Sequence, residues 1–147
     1  MANNATTYLE NKLLKLIFKN NSGSFSTPGN NIYVGLATAV SDAEAGSYTE
    51  VNTSSQDANY VRQQVNAAGW DISTDSADQQ KVDNAANVEF PASSGAATYT
   101  VTHVFVADAS THSGGNILFI GALDASKQIA SGDIFRINAG NLQIELK

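Results

Sequence analysis

Cysteine is absent from the 147 residues of this chain. Disulfide bonds, thiolate zinc sites, iron–sulfur clusters and cysteine nucleophiles are therefore excluded together. Cations are also scarce: 8 Lys and Arg stand against 14 Asp and Glu, which gives a formal net charge of -6. Because so few cations neutralise few phosphates, the composition predicts that nucleic acid is not a partner, and an anionic membrane surface is excluded on the same ground.

Long apolar runs are missing as well. The most apolar stretch, residues 13–18, is interrupted by Lys15 and flanked by Lys12 and Lys19. It falls well short of the ~18 apolar residues of a membrane-spanning helix, and no small-residue cleavage site follows it. We therefore expect neither a signal peptide nor a membrane anchor, and we expect the chain to keep its whole sequence and to mature in a cytoplasm.

What is present is the composition of a globular protein, with 42% hydrophobic and 15% charged residues. The length fits one domain, since single cores usually span roughly 100–200 residues. A polar surface with few charges suits contact with other protein.

One helix is predicted near the start of the chain. Thr7 and Glu10 have the spacing of a capping box, and Asn20 to Gly23 form a stop signal. The apolar residues recur at helical spacing, with a main stripe and a second pair that widens it: Leu9, Leu13, Leu16 and Ile17, then Leu14 and Phe18. Two interpretations stay open, because such a helix either covers one end of its own sheet or docks on a neighbouring subunit.

After this helix the pattern changes to that of strands. Short runs rich in β-branched and aromatic residues occupy 32–36, 49–51, 59–65, 69–72, 86–90, 99–106, 116–123, 134–137 and 142–146. No strand–helix–strand unit is visible, so a doubly wound nucleotide-binding sheet is excluded. The residues therefore predict an antiparallel sandwich or barrel of about six to eight short strands, with 99–106 central and with polar loops at 41–58 and 73–85.

The search for catalytic residues predicts no enzyme. His103 lies inside a strand run and His112 in a turn, with no partner implied for either; the turn at 113–116 is that of a hairpin. No nucleophile elbow or phosphate-binding glycine loop occurs. Four aspartates, Asp71, Asp75, Asp78 and Asp83, are dense but lack the spacing of a calcium loop. We expect no metal and no cofactor, and we expect the aromatics Tyr48, Tyr60 and Trp70 to serve the core.

Several segments taken together resemble a group of small tailed-bacteriophage virion proteins. They are 7–14, 32–36, 59–63, 87–91, 101–103, 114–123 and 131–142. Members of the group are commonly labelled tail fibre proteins, and similar short proteins act as capsid decoration, or cement, proteins. The acidic stretch at 71–83 departs from the pattern of the group.

The resemblance implies an all-β fold, an antiparallel jelly-roll-like β-sandwich with an N-terminal α-helix. We expect a helical arm over 1–23 and a sandwich domain over 24–147. The implied role is a cement protein made in the bacterial cytoplasm, which sits as a homotrimer on the outer capsid and binds the major capsid protein. The alternative is a tail fibre or tail-tip protein that binds host carbohydrate.

Charge separation along the chain adds interface candidates. Residues 1–20 carry Lys12, Lys15 and Lys19 against Glu10, for +2, whereas 41–90 carries nine acids against Arg62 and Lys81, for −7. Head-to-tail contacts between copies would use this difference, although scattered surface charge also explains it. For Arg62, a carboxylate on a neighbour and one in the same chain are both open. The candidate interface residues are Leu9, Lys12, Leu13, Tyr48, Arg62, Asp75 and Asp78.

Overall fold

The computed structural model describes residues 3–19, 32–74 and 80–145, which form one α-helix and eleven β-strands. In chain order these are β1 (Asn3–Ala5), α1 (Thr7–Lys19), β2 (Tyr33–Asp42), β3 (Ser47–Glu50), β4 (Gln63–Gln64), β5 (Trp70–Thr74), β6 (Gln80–Asn84), β7 (Val88–Glu89), β8 (Tyr99–Ala107), β9 (Ile117–Ile129), β10 (Arg136–Ile137) and β11 (Gln143–Glu145). A short 3-10 helix, Ala67–Gly69, precedes β5. Six of the strands have four or more residues. The predicted all-β fold with an N-terminal helix is confirmed.

The largest sheet has the strand order β1-β9-β8-β2-β3, and β4 pairs with β2 beside β3. Every pairing is antiparallel. β8 lies between β2 and β9, which confirms the central position predicted for 99–106. β8 and β9 also form the hairpin predicted around 113–116.

Two smaller sheets, β7–β10 and β5–β6–β11, supply the second layer. Alternation along β2 and β8 places Val34, Leu36 and Val104 on the inner face of the main sheet. There they pack against side chains of the second layer such as Phe90 and Phe135. This burial of two apolar faces makes the fold a sandwich. The jelly-roll topology stays a prediction.

The outer face of the main sheet carries a second apolar cluster around Phe105, which is 1% exposed. Its ring lies across Gly35 on β2, where an added Cβ would stand 2.1 Å from Phe105 Cζ. The glycine is therefore required by this close approach. Tyr48 packs on the same ring with centroids 4.7 Å apart.

The predicted loop at 73–85 is wrong in its described part. β5 continues to Thr74, and β6 pairs with both β5 and β11. Val82 is the one large apolar residue of β6, so periodicity gave no signal. The strand is specified by its ladder and by Asn84, which is fully buried, donates to the carbonyls of Ala86 and Asn138, and accepts from the Leu142 amide.

The helix begins at Thr7, as predicted, but the capping box predicted at Thr7 and Glu10 is wrong by one residue. The side chain that caps the helix is that of Thr6, whose Oγ1 accepts from the Leu9 amide at 3.4 Å. The predicted stop signal at 20–23 and the boundary between 23 and 24 lie outside the described residues, and the division into arm and domain stays a prediction.

Candidate functional site

The first turn of α1 is fixed to the sandwich. Thr6, which is 2% exposed, donates from Oγ1 to the Ile117 carbonyl at 2.6 Å in addition to capping the helix. The Thr7 amide donates to the Glu44 carbonyl at 2.8 Å. These bonds satisfy amides that a helix start otherwise leaves unpaired, and they set the direction of α1 relative to the main sheet.

The two sides of α1 differ in burial. Leu9 is 6% exposed and packs with Val106, Leu118 and Ile144, and the half-buried Leu13 joins this cluster. One of the two open interpretations, a helix that covers its own sheet, therefore holds for this side. The interface prediction for Leu9 and Leu13 stays a prediction, although Leu9 is already buried within its own chain.

The other side of α1 is open to water. Leu14, Ile17 and Phe18 are 57%, 64% and 75% exposed. Since residues three and four apart are neighbours on a helix, the three side chains form one patch, which we call the α1 stripe. Contiguous exposed apolar groups of this kind are typical of protein contact surfaces. Sequence analysis placed Ile17 in the main stripe with Leu9 and treated Leu14 and Phe18 as a pair that widens it, because apolar residues lie on both sides of the helix.

Lysines border the α1 stripe. Lys15 and Lys19 are exposed, whereas the half-buried Lys12 places its Nζ 5.5 Å from the centre of the Tyr8 ring. Lys12 therefore has a partner in its own helix. Its role in an interface stays a prediction.

Arg62 lies in the interior, where its side chain is 0% exposed. Its Nε and Nη2 donate to the two carboxylate oxygens of Glu50 at 2.8 and 2.9 Å. Nη1 donates to the carbonyls of Ala109 and Gly114 at 2.8 and 2.9 Å, and Nη2 also donates to the Tyr48 hydroxyl at 3.0 Å. All five N–H groups of the guanidinium are thus used. Sequence analysis left open whether Arg62 pairs with a carboxylate of a neighbour or of the same chain. The structure contains the pair within the chain, with Glu50.

Both carboxylate oxygens of Glu50 accept hydrogen bonds. Besides Arg62, it accepts from the Tyr60 hydroxyl at 2.8 Å and from the Ser113 amide at 2.6 Å. Burial alone raises the pKa of Glu50, but these hydrogen bonds and the Arg62 charge outweigh it, so the pKa lies below its ordinary value. Burial and the neighbouring Glu50 anion raise the pKa of Tyr60. The carboxylate and the guanidinium therefore stay ionised in the interior.

This network holds the turn between β8 and β9 in place. Ser113, with φ of 54°, is the one described non-glycine residue in the left-handed region, and Glu50 holds its amide. Arg62 holds the two carbonyls on either side of it and places its guanidinium carbon 4.9 Å from the Phe105 ring centre. Sequence analysis named Tyr48 and Arg62 as interface candidates, which stays a prediction, and placed Tyr60 in the core, which is confirmed; it did not single out Glu50.

A second buried carboxylate organises the connection from β3 to β4. Asp57, which is 2% exposed, accepts from the amides of Asn59 and Ser94 and from the Tyr99 hydroxyl at 2.9–3.0 Å. Burial opposes the charge, but these donors lower the pKa of Asp57 overall. The polar stretch predicted as a loop at 41–58 thus contains the strand β3 and an anchored loop after it.

The histidines do not meet in a common site. His103 Nδ1 lies 2.8 Å from Thr102 Oγ1 on β8, and burial lowers its pKa. His112 Nε2 donates to the Val51 carbonyl at 2.8 Å. Within 3–19, 32–74 and 80–145, no three His, Asp or Glu side chains converge as a metal site requires. The candidates Asp75 and Asp78 lie outside the described residues.

A groove of about 690 Å³ lies between the second half of β9 and the segment 133–138. It lies where β9 is irregular: Val101 pairs with Lys127 and His103 with Ala122, so one residue of β8 faces four of β9. Its apolar lining includes Leu123, Phe135, Ile137 and the 51% exposed Ile134. We call it the β9–β10 groove.

The sequence of the chain matches a known protein family. The model of the family described as Podophage GP4 fiber I protein gp80 matches residues 4–145. The chain belongs to this family. Membership in the gp80 family makes the chain a phage virion structural protein, and it confirms the resemblance to virion proteins labelled as tail fibres. No curated protein matches the chain.

The matched range of the gp80 family includes β1 except for Asn3, and all other described elements, and hence both the α1 stripe and the β9–β10 groove. None of the helices in the described ranges has the length and apolar character to cross a membrane.

Proposed function

We propose that this chain is a subunit of a phage fibre that acts by protein–protein adhesion and catalyses no reaction. The family description supports the fibre role over the capsid role that sequence analysis puts first. The observation that carries the proposal is the α1 stripe, where three large apolar side chains on a firmly anchored helix face water. Their burial against another protein would be favourable, at roughly 1.5–3 kcal/mol for each fully buried side chain.

The proposed partners are other copies of this chain, in a homotrimer, and the protein to which the fibre attaches. No nucleic acid and no membrane are included, given the net charge of -6. The absence of catalysis is supported by the interior carboxylates, since the oxygens of Glu50 and Asp57 accept hydrogen bonds from donors of the same chain.

A receptor role at the fibre tip, with host carbohydrate as ligand, has one observation in its favour. Tyr8 and Tyr48 line a depression of about 300 Å³ together with Ser113 and Asn116. Aromatic rings beside neutral polar groups suit a sugar ring. Tyr8→Ala, which leaves the Arg62 network untouched, should abolish binding to a glycan array if this role is correct.

The capsid decoration role is the second candidate. The accessible surface of 7896 Å² is close to the ~7,200 Å² of a compact monomer of this mass, and a compact body suits a knob on the outer shell, bound to the major capsid protein. Repetition on a shell would multiply weak contacts into durable attachment.

Labelled antibody on intact particles tests both roles. Label at the tail supports the fibre role, label over the head supports decoration, and particles without label would sink both. Ile17→Asp combined with Phe18→Asp should then reduce occupancy on the particle. Ile72→Asp is the matched control, because Ile72 is 77% exposed and lies on β5, outside the α1 stripe.

A further inference from the structure

We propose that the α1 stripe of one copy docks into the β9–β10 groove of a second copy, in a head-to-tail contact. This inference rests on the proposed function as a self-assembling fibre subunit and names the surfaces that such subunits would use.

The two surfaces are separate on one molecule. The hydrogen bonds of Thr6 and Thr7 and the buried Leu9 hold α1 against the cluster of Val106, Leu118 and Ile144. The groove is instead backed by the main core, to which Phe135 and Ile137 belong. A helix anchored in this way cannot reach the groove of its own chain, so the groove is open to the helix of another copy. The contact is then heterologous, and it closes into a ring or extends into a filament.

The shapes and chemistry of the surfaces correspond. The α1 stripe projects two branched side chains and one ring from little more than one helical turn. The groove, at about 690 Å³, has a mixed lining of apolar and polar side chains, and Ile134, at 51% exposed, is the large apolar side chain in it that is most open to a partner. Helix-in-groove contacts of this type use anchors three and four residues apart, which is the spacing of Leu14, Ile17 and Phe18.

Charge favours the same pairing. The described helix carries three lysines and one glutamate, a net charge of +2. Since the whole chain has a net charge of -6, the rest of the chain carries −8. The charged residues that line the groove are Asp124, Asp133, Lys127 and Arg136, which sum to zero, and Arg136 also pairs with Glu89. A cationic helix thus meets a neutral groove on a strongly acidic body, whereas two such bodies repel each other.

The contact is small, and this sets the expected affinity. Three side chains supply roughly half of the ~800 Å² per partner that a stable interface buries. Free subunits should therefore associate weakly and be stabilised by repetition in an assembly. A covalent trap suits such a contact better than an equilibrium measurement.

Because the natural chain has no cysteine, introduced cysteines report without background. The experiment mixes full-length Ile17→Cys protein with Ile134→Cys protein and adds a short bismaleimide linker. We expect a cross-linked pair that contains one chain of each kind. Ile72→Cys in place of Ile134→Cys is the control, since Ile72 is more exposed but lies outside the groove. It should give at least tenfold less product.

Three outcomes would overturn the inference: no mixed product, equal product with Ile72→Cys, or a dominant product of Ile17→Cys with itself, which would show a helix-to-helix contact. Circular dichroism of each variant establishes that it is folded. Antibody labelling of particles made with the natural chain is scored separately. A labelled particle with no mixed cross-link refutes the docking alone, whereas an unlabelled particle refutes the proposed function.

Discussion

Replacing Arg62 by Met tests whether the buried ion pair organises the fold. Met keeps much of the side-chain volume over Phe105 but removes the charge and five hydrogen bonds. The larger effect is on Glu50, which is left as an unpaired carboxylate with a side chain 1% exposed. Removing one partner of a buried pair costs about 3–5 kcal/mol, a large fraction of the 5–15 kcal/mol that stabilises a typical domain.

The assay is urea unfolding followed by the fluorescence of Trp70, the single tryptophan of the chain. Trp70 is half-buried and donates from Nε1 to the Val65 carbonyl at 3.2 Å, so its emission should change when the sandwich opens. Arg136→Met is the matched control, because the Arg136–Glu89 pair is about half exposed and should contribute only about 0–1 kcal/mol.

A double variant separates the charge from the hydrogen bonds. Glu50→Gln added to Arg62→Met neutralises the unpaired carboxylate and keeps an acceptor for the Ser113 amide. The double variant should therefore unfold at higher urea concentration than Arg62→Met alone. Equal free energies of unfolding for Arg62→Met and Arg136→Met would refute the reasoning, and so would a double variant less stable than the single one.

Three further predictions follow from named contacts. The pKa values of Glu50 and Asp57 are lower in the folded than in the unfolded chain. Their contribution to stability is therefore complete above about pH 4–4.5 and is lost as the pH falls through the folded pKa values. Urea midpoints measured across pH 2–7 should show this loss, and Glu50→Gln should flatten the dependence of the midpoint on pH. Gly35→Ala places a Cβ 2.1 Å from Phe105 and should cost about 1–3 kcal/mol or more, and a thermal midpoint unchanged from the natural chain would contradict the packing. Ser113→Gly removes the strain of a left-handed backbone, roughly 1–2 kcal/mol, but it also raises the conformational entropy of the unfolded chain. A small rise of the melting temperature is therefore expected. A fall of several degrees would show that the Ser113 side chain matters more than its φ.

Much of the fold is predictable from periodicity. The central strand 99–106 and the hairpin that follows it carry continuous apolar runs, and the structure places both as expected. β1 and β6 were missed because neither has a clear apolar pattern. The partner of β1, Phe119 to Gly121, lies more than a hundred positions away, and β6 pairs both with the nearby β5 and with the remote Gln143 to Glu145.

The candidate site shows the same limit. That α1 would have an apolar stripe was evident, but which side of it would be buried depends on Thr6, whose bond to Ile117 spans 111 positions. Arg62 stood out as one of two cations among nine acids in 41–90. Its choice of Glu50 could not be read from spacing, since the segment between them is mostly irregular.

The pairing of β1 with β9 has a consequence for how the molecule reaches its native state. Residues 3–5 join the main sheet at 119–121, and β2 joins it at 103–107, so the edge and the centre of the sheet both close over large stretches of chain. Folds dominated by such remote contacts acquire them slowly, on the scale of milliseconds to seconds, and leave strand edges unprotected in the meantime. A chain of this topology is therefore most vulnerable to aggregation while it is being synthesised, before its first strand has paired with β9.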